Sequence, residues 1–276
     1  MTRRAALIGN PLMRRHSQVM HNAAFDHFGI DARYELLELE PEEVPAFVAG
    51  ARDDAWLGFQ VTMPHKQLVM DHLDEIEVEA RQIGAVNSVL RGDDGTLVGF
   101  NTDAPGFQRA VEAELDIRFE GIRAAVAGAG GAARAVVHAL VSDGADEVII
   151  GNRNPSRAQN LAADIGGQVH AVDLGSEFEN SLARADLAVN ATIVGIIEPG
   201  TPFDVAALSE SAAVYDLIYD PPESELLAAA SARGLRTANG LGMLVGQAEI
   251  AFERWTGVTD AGPVMRTSLV PPGPTA

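Results

Sequence analysis

Ala124-Ala-Val-Ala-Gly128-Ala129-Gly130-Gly131-Ala132-Ala-Arg134 is the stretch that decides the fold. Four small apolar residues predict a strand, Ala124–Ala127. The glycines around Ala129 predict a tight turn, and Ala132–Val141 carries helical spacing. Bare glycine backbone lets a phosphate approach closely and rest on the N–H groups that open the helix. The flanking strand and helix supply the context such a fingerprint needs. The next strand, Glu147–Gly151, runs into Asn152-Arg153-Asn154-Pro-Ser-Arg157. A site for NAD usually places an acid about 20 residues beyond the turn, to bind the ribose 2′-hydroxyl. No acid stands at this strand end. Two guanidiniums four residues apart, Arg153 and Arg157, stand there instead and suit a 2′-phosphate. The pattern predicts NADP rather than NAD.

Outward from this unit the same rhythm continues on both sides. Downstream, Ser156–Ile165 reads as a helix, and Val169–Val172, Leu187–Asn190 and Val214–Ile218 as strands. Glu223–Arg233 and Leu244–Trp255 read as further helices. Upstream, Ala5–Ile8, Tyr34–Leu39, Trp56–Thr62 and Leu97–Asn101 read as strands. Val19–Phe28, Pro41–Ala51 and Lys66–Ile83 carry helical spacing between them. Strands alternating with helices imply parallel sheet covered by helices, an α/β fold. Because the glycine turn starts at residue 128, about 100 residues precede it, enough for a separate domain. The run Leu269-Val-Pro-Pro-Gly-Pro-Thr-Ala276 predicts a flexible tail over 269–276.

Composition limits the function classes. The chain has 276 residues, 20 basic and 39 acidic side chains, and a formal net charge of −19. Such an acidic surface argues against nucleic acid and anionic membranes as partners. No apolar run reaches the roughly 18 residues that a membrane span needs. The start of the chain lacks a signal-peptide pattern, which makes cytoplasmic localisation the expectation. Cysteine is absent, which removes disulfides, thiolate metal sites and a thiol nucleophile. The seven histidines show no ligand spacing, so no metal is expected. His16 and Ser17 are adjacent, which is not the geometry of a nucleophile and its base. His21 and His65 read as packing or capping residues.

One count points to chemistry. Lys66 is the only lysine among the 20 basic residues. Arginine keeps its proton near neutral pH, whereas a lysine can be tuned to release one. The lone lysine suggests a site that needs an ammonium rather than a guanidinium, with chance as the alternative. Polar residues gather at the ends of the upstream strands. They are Gln60 and Thr62 before Pro64-His65-Lys66, then Asn87-Ser88, then Asn101-Thr102-Asp103. Ligands bind open α/β sheets at such carboxyl ends.

At these residues the chain resembles the shikimate dehydrogenase family, from Ile8 to Gly257. Val61-Thr-Met-Pro-His-Lys66 resembles its catalytic-lysine segment, Gly84-Ala-Val-Asn87-Ser-Val89 its Gly-Ala-Val-Asn-Thr, and Asn101-Thr-Asp103 its Asn-Thr-Asp. Gly128–Ala132 and Asn152-Arg153-Asn154 resemble its cofactor turn and Asn-Arg-Thr, and Asn190-Ala-Thr192 its Asn-Ala-Thr. Tyr215-Asp-Leu-Ile-Tyr219 and Gly240-Leu-Gly-Met-Leu-Val-Gly-Gln247 resemble its two late motifs. The resemblance implies a substrate domain over 1–103, completed by helices over 241–268, and an NADP-binding Rossmann domain over 104–240, with the site in the cleft. It implies reversible reduction of 3-dehydroshikimate to shikimate, with a small carboxylate substrate and a monomer or homodimer. Lys66 would be the acid/base residue and Asp103 its partner. Thr62, Asn87, Asp103, Tyr219 and Gln247 would hold the substrate. Thr192, Leu217 and Gly240 would line the nicotinamide.

Four departures stand out. The family's first helix follows His-Ser-X-Ser-Pro, whose serines bind the substrate carboxylate. Here Ser17 stands at the second serine, Arg15 replaces the first, and Gln18 replaces the proline. Gln60 replaces an asparagine at the expected binding edge, and Ser224-Glu225 replaces Thr-Pro. An arginine either binds the same carboxylate more strongly or closes the pocket to it. Quinate, an aminoshikimate or another cyclic acid is therefore the alternative substrate. A nucleotide-binding sensor without turnover is the alternative from another class.

Overall fold

The computed structural model describes residues 2–270. The expected tail therefore lies, from residue 271 on, outside the described residues. The chain divides into two compact units. One runs up to Thr102 and resumes at Leu244; the other is Asp103–Met243.

The first unit is built on six strands, β1 (Arg3–Gly9), β2 (Ala32–Glu38), β3 (Trp56–Val61), β4 (Glu75–Ile76), β5 (Ser88–Arg91) and β6 (Leu97–Phe100). Their order is β2-β1-β3-β5-β6-β4. β1 lies parallel to both its neighbours, whereas β5 runs antiparallel to β3 and to β6. The sheet is thus mixed where alternation of strands and helices predicts a parallel one. The hairpin that inverts β5 turns at Gly92–Gly95, where Asp94 Oδ1 accepts from Thr96 N. The Asp94-Gly95 pair suits such a tight turn, because Gly95 has φ of +83°. Helices α1 (His16–Phe28), α2 (Val44–Gly50) and α3 (Val78–Ile83) join these strands. β3 is buried along its whole length. Its Phe59 and Val61 pack with Ile8, Val44, Val48 and Val89.

The expected helix over Lys66–Ile83 is corrected. The segment is a 3-10 turn over Leu68–His72, then β4, then α3. Leu68, Val69, Leu73, Ile76, Ala80 and Ile83 recur every few residues and imitate a helical stripe. The extended piece exists because Glu75 and Ile76 pair with Val98 and Gly99.

The second unit opens with α4 (Asp103–Leu115), a helix absent from the expected elements although Phe107, Ala110, Val111 and Leu115 recur at helical spacing on its buried face. Its strands are β7 (Arg123–Ala127), β8 (Glu147–Asn152), β9 (Val169–Asp173), β10 (Leu187–Asn190), β11 (Ala213–Asp216) and β12 (Arg236–Asn239). All pairs are parallel, in the order β12-β11-β10-β7-β8-β9. Helices α5 (Gly131–Ser142), α6 (Pro155–Ile165), α7 (Ser176–Leu182) and α8 (Glu225–Ala232) make four of the five crossovers, and the one from β10 to β11 carries a 3-10 turn over Val205–Ala207. Two further helices, α9 (Leu241–Thr256), whose first three residues end the second unit, and α10 (Gly262–Ser268), belong to the resumed first unit. The chain order reverses between β7 and β10, which is where open α/β sheets bind ligands. No helix among the described residues is long and apolar enough to cross a membrane.

Candidate active site

In the second unit the register lines up one row of residues at the carboxyl edge. Ala127 pairs with Gly151 on one side and Asn190 on the other. Asn190 pairs with Asp216, and Asp216 with Asn239. One residue further on, the chain reaches Gly128, Asn152, Ala191, Leu217 and Gly240. The expected cofactor residues therefore share one edge because the strands share one register.

Close backbone approach explains the glycines there. Gly128 has φ of +115°, and a Cβ on it would lie 2.7 Å from the Ala191 carbonyl oxygen. A Cβ on Gly240 would lie 2.1 Å from the Leu217 carbonyl oxygen. Gly130 has open space where its Cβ would be, and it is the N-cap of α5 with no side chain capping the helix. The first turn of α5 carries no acid. Open glycine backbone, uncapped N–H groups and the absence of a carboxylate fit the pyrophosphate of a dinucleotide. Ala129 and Ala132 flank this turn and are half-buried.

Two side chains tie the edge together. Asn190 Oδ1 accepts from Thr192 N at 2.9 Å and Thr192 Oγ1 at 2.8 Å, while its Nδ2 donates to Asp216 Oδ1 at 2.9 Å. Asp216 also accepts from Ser224 Oγ at 2.5 Å and Ile218 N at 3.1 Å. Burial pushes the Asp216 carboxyl above the usual range, and the Ser224, Ile218 and Asn190 donors oppose that rise. Ser224 is at the same time the N-cap of α8, accepting from Leu227 N at 3.2 Å. This departure thus keeps an N-cap hydroxyl. Asn190 and Asp216 hold Thr192 and the strand ends in place. Their roles follow from long-range pairing that spacing alone does not reveal.

Beyond β8, Asn154 caps α6 by accepting from Ser156 N, and Asn152 Nδ2 donates to the Asn154 carbonyl. Arg153 and Arg157 are both exposed. Arg153 is engaged: Nη1 donates to Glu198 Oε2 at 2.7 Å and Nη2 to Glu198 Oε1 at 3.1 Å. Glu198 had no signal in the sequence, since it lies 45 residues away.

In the first unit, Lys66 sits on a turn fixed by backbone bonds. Thr62 N donates to the Ile8 carbonyl, His65 N to the Thr62 carbonyl, and Val86 N to the Lys66 carbonyl, all at 2.9 Å. His65 is buried, and its Nε2 donates to the Leu39 carbonyl at 2.7 Å. The turn thus joins β1, the loop after β2 and the segment before β5. Asn87 is buried, with Oδ1 accepting from Thr102 N at 2.8 Å and Nδ2 donating to Thr102 Oγ1 at 2.9 Å.

Gln60 is the hub of a buried network. Its Oε1 accepts from Tyr34 Oη at 2.8 Å and from His21 Nε2 at 3.0 Å, and its Nε2 donates to Gln247 Oε1 at 2.6 Å. Gln247 Nε2 in turn donates to the Leu244 carbonyl. His21 lies stacked on Tyr34 with ring centroids 4.3 Å apart, and burial lowers its pKa to about 3 against the opposing Gln60 bond. The ring is neutral, with its proton on Nε2. The extra methylene of Gln60 therefore serves the interior, reaching His21, Tyr34 and Gln247 together. Gln18 also turns inward, its Nε2 donating to the Tyr34 carbonyl at 3.4 Å. Arg15 is exposed at the N-cap of α1 and makes no capping bond, and Ser17 is half-buried one residue into that helix.

Lys66 and Gln247 belong to the first unit; Asp103, which opens α4, and half-buried Tyr219 belong to the second. Among the described residues, no group of three or more His, Cys, Asp or Glu is arranged to hold a metal ion.

Comparison with known proteins agrees over most of the chain. Family models described as the shikimate dehydrogenase substrate binding domain, shikimate/quinate 5-dehydrogenase, and the shikimate 5′-dehydrogenase C-terminal domain match residues 7–89, 110–196 and 240–267. The chain is 42% identical to a shikimate dehydrogenase (NADP(+)) of Geobacillus kaustophilus, over 91% of each chain. It is similar to the crystal structure of a Thermus thermophilus shikimate 5-dehydrogenase in complex with NADP(H) and shikimate. That similarity has a TM-score of 0.86 at 38% identity, covering 96% of this chain and 98% of that one. It is also similar to a Corynebacterium glutamicum quinate dehydrogenase in complex with NAD, with a TM-score of 0.89 at 34% identity over 97% and 98% of the two chains. With that identity spread over nine-tenths of its length, the chain belongs to the shikimate dehydrogenase family.

Proposed function

We infer that this protein is an NADP-dependent oxidoreductase interconverting shikimate and 3-dehydroshikimate. The observation that carries the reading is Lys66, the chain's one lysine, held on a turn by backbone bonds from Val86 and to Thr62, in a segment that resembles the family's catalytic one. When bound, the nicotinamide supplies or accepts the hydride. In the reductive direction the substrate's carbonyl oxygen gains negative charge and needs a proton. The Lys66 ammonium stabilises that charge and delivers the proton from Nζ; in the oxidative direction Nζ takes it back. Asp103 orients the ammonium and accepts a hydrogen bond from a substrate hydroxyl. Thr62, Asn87, Tyr219 and Gln247 hold the remaining hydroxyl and carboxylate groups, and Ser17 and Arg15 stand where the carboxylate-binding serines belong. The glycine turn carries the pyrophosphate, and Arg153 with Arg157 the 2′-phosphate.

Arg15 favours one second reading. Gln60 and Gln18 are bonded inside the protein, so Arg15 is the departure that bears on the substrate. An exposed guanidinium at that position admits a different ring acid, such as quinate. The test is steady-state turnover with shikimate, quinate and an aminoshikimate, each with NADP and with NAD. The highest kcat/KM is expected for shikimate with NADP. A higher value for another acid replaces the substrate assignment. No turnover with any of them, alongside intact NADP binding, favours the sensor.

A further inference from the structure

The side chain expected to take the 2′-phosphate already holds an oxyanion. Both Nη atoms of Arg153 donate to the two oxygens of Glu198, at 2.7 and 3.1 Å. This is the parallel two-bond fork that guanidinium also makes with phosphate, so one group excludes the other from that face. Glu198 is presented by a short loop rather than by a strand or helix. Gly195 N donates to the Glu198 carbonyl at 2.6 Å, closing a turn in which Gly195 has φ of +101°. The loop continues directly from Thr192, which Asn190 fixes at the carboxyl edge. Ile196 and Ile197, at the tip of the turn, are 39% and 51% exposed. The loop therefore has little apolar burial at its tip, and the ion pair with Arg153 joins it to the end of β8.

We propose that Glu198 is an internal competitor for the 2′-phosphate site: its carboxylate occupies Arg153 in the free protein and must leave before the cofactor phosphate can bind there. The proposal rests on the reading of Arg153 as a 2′-phosphate residue. Glu198 is then a specificity residue that acts through Arg153. It lowers the advantage of NADP over NAD in two ways, by occupying the fork and by repelling a dianionic phosphate that arrives beside it. The Arg153 and Glu198 side chains are 64% and 42% exposed, so the pair is screened by water and its effect is small. Exposed pairs are worth up to about 1 kcal/mol, which converts to at most about fivefold in affinity.

The test is calorimetric titration, without substrate, of 2′,5′-ADP and of 5′-ADP, which lacks the 2′-phosphate. It is run on the unmodified protein, Glu198→Gln, Arg153→Ala and the double variant. Glu198→Gln is expected to tighten 2′,5′-ADP by about two- to fivefold and to leave 5′-ADP unchanged. In the Arg153→Ala background the same substitution is expected to do nothing beyond a small loss of repulsion. Unchanged or weaker 2′,5′-ADP binding in Glu198→Gln overturns the proposal; weaker binding would mean that Glu198 holds Arg153 ready for phosphate. Arg153→Ala without effect on the preference for 2′,5′-ADP would instead remove the 2′-phosphate reading, and the competitor with it.

Discussion

The carboxyl edges of the two sheets differ in how much of each is backbone and how much is side chain. In the second unit the strand ends are tied by the Asn190–Asp216 pair, and the surface beside them is bare backbone: Gly128 and Gly240 let neighbouring carbonyls approach to distances that no Cβ would allow. In the first unit the edge is made of side chains: Gln60, Asn87, Thr102 and Gln247 hold one another through buried hydrogen bonds. Backbone N–H groups suit phosphates, which every dinucleotide presents alike. Interlocked, buried amides and hydroxyls fix the strand ends and helix α9 against one another, because a buried polar group left unpaired is costly. Both edges carry a glycine that admits no methyl group, Gly9 against Thr62 in the first and Gly128 against Ala191 in the second, but the first leans more on buried side-chain pairs.

Substitutions separate these two kinds of edge. Lys66→Ala is expected to have the largest effect, a fall in kcat of about 10²–10⁴ with NADP affinity retained in a binding titration. An equal loss of binding would break the division of labour. Gly128→Ala reverses the pattern. The added methyl meets the Ala191 carbonyl in a positive-φ backbone, so calorimetric unfolding is expected to show a loss of about 1–3 kcal/mol, with NADP binding weakened. Retained stability and binding would show that the close approach is dispensable.

The buried network should also make the first unit acid-sensitive. His21 has a folded pKa of about 3, below an unfolded value near 6.5, so the unfolded chain binds the extra proton. Stability is then fully present above about pH 6.5 and is lost as the pH falls toward 3. Between pH 7 and 5 the expected loss from this group is about 2 kcal/mol, read from urea unfolding at each pH. A His21→Phe variant should be less stable at pH 7 but show a flatter slope over that range. An unchanged slope would assign the acid sensitivity elsewhere. The smallest effect sharpens the second edge: Arg153→Ala should weaken NADP by about tenfold and leave NAD within about twofold. Equal losses for both cofactors would contradict a contact to the 2′-phosphate.

The amino-acid sequence by itself determined the α/β class, the order of most elements and the cofactor turn. Each of these is written locally, in Gly128, Gly130 and Gly131 and in the periods of the apolar residues. It also marked Arg153 as a cationic strand end, because the missing acid is itself a local feature. Elements whose cause is distant were not legible. The Lys66–Ile83 segment carries a helical stripe, yet pairing with β6 draws Glu75 and Ile76 into a strand. α4 hides behind Pro105 and Gly106, which resemble a loop. Proline is tolerated in a first helical turn, and burial of Phe107 against Phe119 and Tyr215 stabilises the helix. Only tertiary structure decided that Gln60 faces His21, Tyr34 and Gln247, and that Glu198 grips Arg153. A side chain's partners depend on which residues the folded sheet brings within about 3 Å of it, and neither residue type nor spacing along the chain encodes that distance.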